Sequence, residues 1–162
     1  MRVYFPTYKY CYVCGRLNER GLKAKPYFEN GDVNIDFEVR KEYVGADVNL
    51  HGGIIATLLD EVGYWATFIK TWKNCVTGEI SVRYKKTAIV GDKIKASART
   101  LKSNGLLTYV EGEVVNQNNE IIARMKGKYI TAEGNFKDYF KDDEELQNYD
   151  LELFKKKIEE SD

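Results

Sequence analysis

The chain has 162 residues, 43% hydrophobic and 31% charged, which is enough for one domain with a real core and too apolar for a disordered segment. Lys plus Arg number 25 and Asp plus Glu number 25. A net charge of zero lacks the basic excess of a generic nucleic-acid binder.

Residues 1–20 read as an irregular, Tyr-rich N-terminal segment. The start MRVYFPTYKY has no apolar signal core, so the cytoplasm is the expected compartment. Cys11, Cys14 and Cys75 are odd in number and sparse, which makes no disulfide framework. Cys11 and Cys14 stand at Cys-x-x-Cys spacing. Zinc needs four ligands, and the chain offers no second cysteine pair and a single His, so no metal site within one chain is expected. A redox role lacks its usual strand–helix context, which leaves a structural role.

Residues 21–29 predict a strand, and Asn30-Gly31 a hairpin turn. A second, half-buried strand follows, in which Val33, Ile35, Phe37 and Val39 alternate with polar residues. From Gly53 to Trp72, apolar residues fall at 54, 55, 58, 59, 62, 65, 66 and 69. That spacing predicts a helix apolar on more than one face, which other structure must wrap. Thr57, Asp60, Glu61, Gly63 and Thr67 make it too polar for a membrane span. Asn74 and Cys75 close it, with Cys75 expected in the core. Four alternating strands follow, at 76–86, 92–103, 106–116 and 120–131, and their short connections predict an antiparallel meander. In the charged stretch 134–162, Leu146, Leu153, Phe154 and Ile158 lie at near-helical spacing. This predicts an amphipathic helix packed on the domain or on a partner, with a solvated tail as the alternative. The expected organisation is an N-terminal segment 1–20, a domain 21–132 and a helical extension 133–162. The expected class is α+β, a long curved antiparallel sheet wrapped around a central helix with an added C-terminal helix.

Within the central helix, His51-Gly52-Gly53 is followed by six residues and then Asp60. This segment, NLHGGIIATLLDEVG, resembles the PaaI-like (phenylacetate-degradation) group of hot-dog-fold thioesterases. The stretch VTGEISVRYKKTAIVGD (76–92) resembles that group's next strand, and CYVCGRLNERGL (11–22) resembles a segment found in a subset of its members. The resemblance covers roughly residues 11–131. It implies a hot-dog fold, hydrolysis of acyl-CoA without metal or redox cofactor, and a homodimer, with a homotetramer as a further assembly. It also implies that Gly52 polarises the thioester carbonyl and that Asp60 comes from the facing subunit. Thr77 matches a Ser/Thr position that helps hold the attacking water. In some relatives an Asn stands six residues before the His; here that position is Gly45, and the nearby Asn49 occupies a different place.

The residues make chemical sense without the resemblance. The first N–H groups of a helix have no internal acceptor, and glycine lets a carbonyl approach them closely. Gly52 and Gly53 therefore suit an oxyanion site, and Asp60 suits a general base or nucleophile. His51 is expected to shape the turn. Nine residues separate His51 from Asp60 by about 13 Å along the axis, and the two point to opposite sides. One chain cannot easily flank a thioester with both, whereas a second, two-fold-related helix can. Glu61 is the alternative carboxylate. Tyr64, Trp65 and Phe68 line an acyl pocket or simply fill the core. Arg83, Lys85, Lys86, Lys102 and Lys128 are candidates for the CoA phosphates or a solvated face. Two other functions fit the same pattern: an acyl-thioester hydratase or dehydratase, and a non-catalytic acyl-CoA sensor. Nucleic-acid and membrane partners are not expected.

Overall fold

Helix α1 (Gly52–Thr71) takes up the most apolar stretch of the chain, and local chemistry sets both of its ends. His51 is the N-cap, its Nδ1 accepting the Gly53 N–H at 2.8 Å and so satisfying one of the helix's orphan amides. Trp72 stops the helix in the left-handed region at φ 54°, with its N–H donating to Phe68 O. Between the ends, Ile55, Leu58, Leu59, Val62, Trp65, Ala66 and Phe68 are buried. The computed structural model describes residues 1–161.

Around α1 lies a seven-stranded antiparallel sheet of β1 (Val3–Tyr4), β2 (Tyr27–Glu29), β3 (Asp32–Glu38), β6 (Cys75–Tyr84), β7 (Lys93–Ser103), β8 (Leu107–Val115) and β9 (Ile121–Thr131). A small ribbon, β4 (Val44–Ala46) with β5 (Asn49–Leu50), leads into α1. The sheet order is β1-β2-β3-β7-β8-β9-β6. Helix α1 contacts β3, β6, β7, β8 and β9, so the sheet wraps its helix in the hot-dog arrangement.

Three sequence expectations need correction. The four late strands do not form one meander. Only β7, β8 and β9 do; β6 lies at the far edge beside β9, and β7 pairs with β3. The connection 85–92 is long enough to cross one end of the sheet, pinned by Leu50 N–H to Ala88 O and Val90 N–H to Val48 O. The strand expected over 21–29 shrinks to β2, because Lys23 takes φ 55° and Pro26 has no N–H to give a ladder. The Leu22 and Ala24 amides bond instead to the Tyr12 and Val13 carbonyls. The Asn30-Gly31 turn is as expected, with φ 55° and 81°. Lastly, residues 1–20 are not wholly irregular: Val3–Tyr4 adds an edge strand to β2.

The C-terminal stretch forms a 3-10 turn (Phe136–Tyr139), α2 (Glu144–Gln147) and α3 (Leu151–Ser161). Phe136, Leu146, Phe154 and Ile158 are buried in the same core as α1, while Leu153 faces out. Phe5 stacks against both Trp65 of α1 and Phe154 of α3, at 4.6 and 5.3 Å between ring centres. Asp143 locks the two termini together, accepting from Lys9 N–H, the Arg16 guanidinium and Leu146 N–H. Among the described residues no helix is long and apolar enough to cross a membrane.

Candidate active site

Gly52 is the first residue of α1, and its amide has no acceptor among the described residues. Gly53 differs: its N–H is already given to His51 Nδ1. His51 is therefore a cap, held in turn by its own N–H to Tyr43 O at 2.9 Å. Gly45 packs against it, since a Cβ there would stand 3.1 Å from the imidazole Cδ2. The position that carries Asn in some relatives is thus backbone pressed on His51. Tyr84, on β6, donates its hydroxyl to Gly52 O at 2.7 Å and so fixes the start of the helix to the sheet edge.

Two turns on, Asp60 is half-buried and aimed at the sheet. Its Oδ1 accepts from Thr77 Oγ1 at 2.8 Å and from the Tyr129 hydroxyl at 3.1 Å. Its Oδ2 has no donor among the described residues. Thr77 reaches Asp60 because of a β-bulge. The register of β6 on β9 slips between Thr77 and Glu79, so Thr77 shares a face with Ile80, Val82 and Tyr84 and not with Ser81. Tyr129 reaches it because residue 63 is glycine, where a Cβ would lie 2.1 Å from the Tyr129 oxygen. Burial, followed by the charge of Asp60, pushes the Tyr129 hydroxyl far up, so it acts as a donor.

Glu61 turns elsewhere. Its Oε1 accepts from Trp65 Nε1 at 3.0 Å, and its Oε2 lies 3.8 Å from Cys11 Sγ. Burial, reinforced by Cys11, pushes its carboxyl up to about 8. Cys11 itself is pulled down to about 6, chiefly by the Cys14 thiol and against the opposing burial. The carboxylate that faces Thr77 is Asp60.

The remaining candidates are scattered. Tyr64 donates to Asn74 Oδ1 at 2.7 Å and packs edge-on to Trp65, which makes it part of the wrapped core. Trp65 and Phe68 are core as well. Asn49 lies half-buried in β5, bridging to Ile89. Lys102 sits over the Tyr109 ring at 4.5 Å, and Lys128 pairs with Glu79 at 3.0 Å. Lys86 pairs with Glu120. Arg83 and Lys85 line a groove of about 720 Å³ on the sheet, where Glu111 and Glu113 balance Arg99 and Arg124. Periodicity could not find Tyr129, Tyr84 or the contact of Glu61 with the cysteines, which are long-range. The bulge did leave a signal, the isolated Gly78 inside an alternating strand.

Residues 49–123 match the Thioesterase superfamily. An Archaeoglobus fulgidus protein named "Putative esterase" is 31% identical over 121 residues, covering 74% of this chain and 75% of its own length. Human acyl-coenzyme A thioesterase 13 is 28% identical over 89 residues, which span 54% of this chain and 63% of the human one. Among solved structures, the E. coli PaaI protein from the phenylacetic acid degradation operon aligns with TM-score 0.65 at 20% identity, covering 70% and 83% of the two chains. A Streptococcus mutans protein bound to acetyl-CoA aligns with TM-score 0.62 at 24% identity, covering 67% and 86%.

Proposed function

The chain belongs to the thioesterase superfamily, and from that premise we propose that it hydrolyses acyl-CoA thioesters to free acid and CoA. The observation that carries this reading is the pairing of two groups on α1. One is a helix-start amide at Gly52 with nothing to bond. The other is a carboxylate at Asp60 with one oxygen anchored by Thr77 and Tyr129 and the other open. The CoA thioester class is supported by a relative named for acyl-CoA hydrolysis and a structural neighbour bound to acetyl-CoA.

In this mechanism the Gly52 N–H donates to the thioester oxygen, whose charge grows as the carbonyl carbon is attacked. A good donor of this kind is worth roughly 3–4 kcal/mol in the transition state. Asp60 Oδ2 takes the proton of an attacking water, or attacks the carbonyl carbon itself. The tetrahedral centre then collapses, the C–S bond breaks, and CoA leaves as thiolate to be protonated; where Asp60 itself attacked, water then cleaves the mixed anhydride to free acid and the Asp60 carboxylate.

Eight residues of helix put Gly52 and Asp60 of one chain about 12 Å apart along the axis, too far to flank one carbonyl. The site is therefore completed by a second copy, with Asp60 of one subunit facing Gly52 of the other. Two features support that pairing. Strand β6 is ten residues long, lies at the sheet edge and is exposed along most of its length, with Val76 57% and Tyr84 50% exposed. Long unpaired edges are uncommon in chains that stay single. Beside that edge, Gly53, Ile54, Thr57 and Asp60 of α1 are also open to solvent in part.

Thiol release from a panel of aromatic, short-chain and medium-chain acyl-CoAs tests the reaction. Asp60→Asn is expected to lower kcat by about 10²–10⁴ on the best substrate while the fold is kept. Wild-type turnover in a folded Asp60→Asn protein would remove Asp60 from the mechanism. Hydration of an enoyl-CoA without thiol release would replace hydrolysis altogether.

A further inference from the structure

Cys11, Cys14 and Glu61 come from positions fifty residues apart and converge on one point beneath the N-terminal segment. Their sulfur and carboxylate oxygen atoms all lie within 4.8 Å of one another. Both cysteines are free; Cys14 is buried and Cys11 half-buried. We propose that this cluster is a binding site for a single divalent ion of the zinc class, held by two thiolates and one carboxylate, with water in the fourth position. Cys and His counted along the chain give too few ligands for such an ion; the third ligand is a glutamate supplied by the fold.

Geometry and chemistry both fit. On one tetrahedral zinc, a thiolate sulfur and a carboxylate oxygen stand about 3.5 Å apart. Here Cys11 Sγ and Glu61 Oε2 stand at 3.8 Å, a few tenths of an ångström from that distance. Glu61 already has the arrangement of a one-oxygen ligand. Its Oε1 is fixed by the Trp65 indole N–H, which leaves Oε2 to face the sulfurs. The loop that carries the cysteines is folded tightly about them. Gly15 N–H bonds to Cys11 O at 2.9 Å, and a Cβ at Gly15 would lie 2.3 Å from that oxygen. Two thiolates and one carboxylate select a borderline-soft ion over magnesium or calcium. Filled, the site ties residues 8–17 to α1 at the residue next to Asp60.

The test uses the full chain, reduced and stripped with a chelator, then titrated with Co(II) as the spectroscopic probe. The expected result is saturation at one Co(II) per chain, with thiolate-to-cobalt charge-transfer absorption and tetrahedral d–d bands, both abolished by added Zn(II). Cys11→Ser and Glu61→Gln should each weaken Zn(II) binding by about tenfold or more, whereas Cys75→Ser should leave it unchanged. If the buried Cys14→Ser variant does not fold, the wild-type spectrum and protection of Cys11 from alkylation by Zn(II) still decide the matter. Absence of the charge-transfer bands with Co(II) in excess would overturn the site, as would Zn(II) affinity untouched by Cys11→Ser. None of these readouts depends on whether the chain hydrolyses thioesters.

Discussion

At the scale of single residues, the contact between Gly63 and Tyr129 shows how a core position can serve a site it does not touch. Helix propensity alone would favour Ala over Gly at 63 by about 1 kcal/mol. Yet a Cβ there would lie 2.1 Å from the Tyr129 oxygen and 2.6 Å from its ring carbon. Tyr129 is fully buried and cannot swing clear. Gly63→Ala is therefore expected to destabilise the fold by about 1–3 kcal/mol in denaturant melts and to lower kcat as Tyr129 leaves Asp60. Unchanged stability with unchanged kcat would mean that the two residues are not coupled. Tyr129→Phe isolates the hydroxyl. It should cost about 1 kcal/mol of stability and reduce kcat more than it changes KM, because Oδ1 of Asp60 is left with Thr77 alone.

Local sequence could carry some of these residues and not others. His51, Gly52 and Asp60 sit on one helix at a fixed spacing, so their relative placement is a local property. Tyr129 lies sixty-nine residues from its partner, and only the sheet brings it back. Glu61 looked like a second candidate base because it neighbours Asp60. A turn of about 100° per residue instead sends it to the cysteines.

At the scale of elements, strong periodicity marked α1 and β3 well, because each alternates or repeats against one continuous core. Order in space was less legible. The stretch before β7 has the length of a generous hairpin loop, and nothing local says that it crosses the sheet end to leave β6 at the edge. The C-terminal stretch is the opposite case. Despite its charge, the near-helical spacing of its apolar residues predicts a packed helix, and Phe154 and Ile158, one helical turn apart, are buried in the core with the N-terminal segment and α1. Phe154→Ala should cost about 3–5 kcal/mol, read from a urea or thermal transition, and a loss below about 1 kcal/mol would make α3 dispensable.

Asp143 gives this corner a pH dependence. Burial alone would raise its carboxyl, but Arg16 and the amides of Lys9 and Leu146 outweigh burial and hold it below its ordinary 3.8. A depressed carboxylate stabilises the fold above the unfolded value, and that contribution disappears as pH falls through the folded one. Stability should thus be level above about pH 4 from this group and drop below it. Asp143→Asn should be less stable at neutral pH by about 3 kcal/mol and show a shallower drop on acidification. An equally steep acid limb in the variant would assign that limb to other carboxylates.

At the scale of the whole molecule, the fold arranges one apolar helix inside one sheet but leaves the helix start and β6 facing out. The proposed chemistry needs that exposed face, because the Gly52 amide and the Asp60 carboxylate are separated along a rigid axis. The central claim is thus a shared site, and complementation tests it directly. Gly52→Pro deletes the amide at the first helical position, a place that suits proline, and His51 already has the extended backbone that must precede it; the Tyr84 ring, 3.3 Å from where a Cβ would stand, must give by a few tenths of an ångström. Gly52→Pro and Asp60→Asn chains should each be nearly inactive as homodimers. Co-expressed in equal amounts, they should recover about a quarter of wild-type thiol release, since half the dimers are hybrids and each hybrid has one intact site of two. Hybrid dimers no more active than the two parents would place Gly52 and Asp60 in the same chain's site and contradict the account.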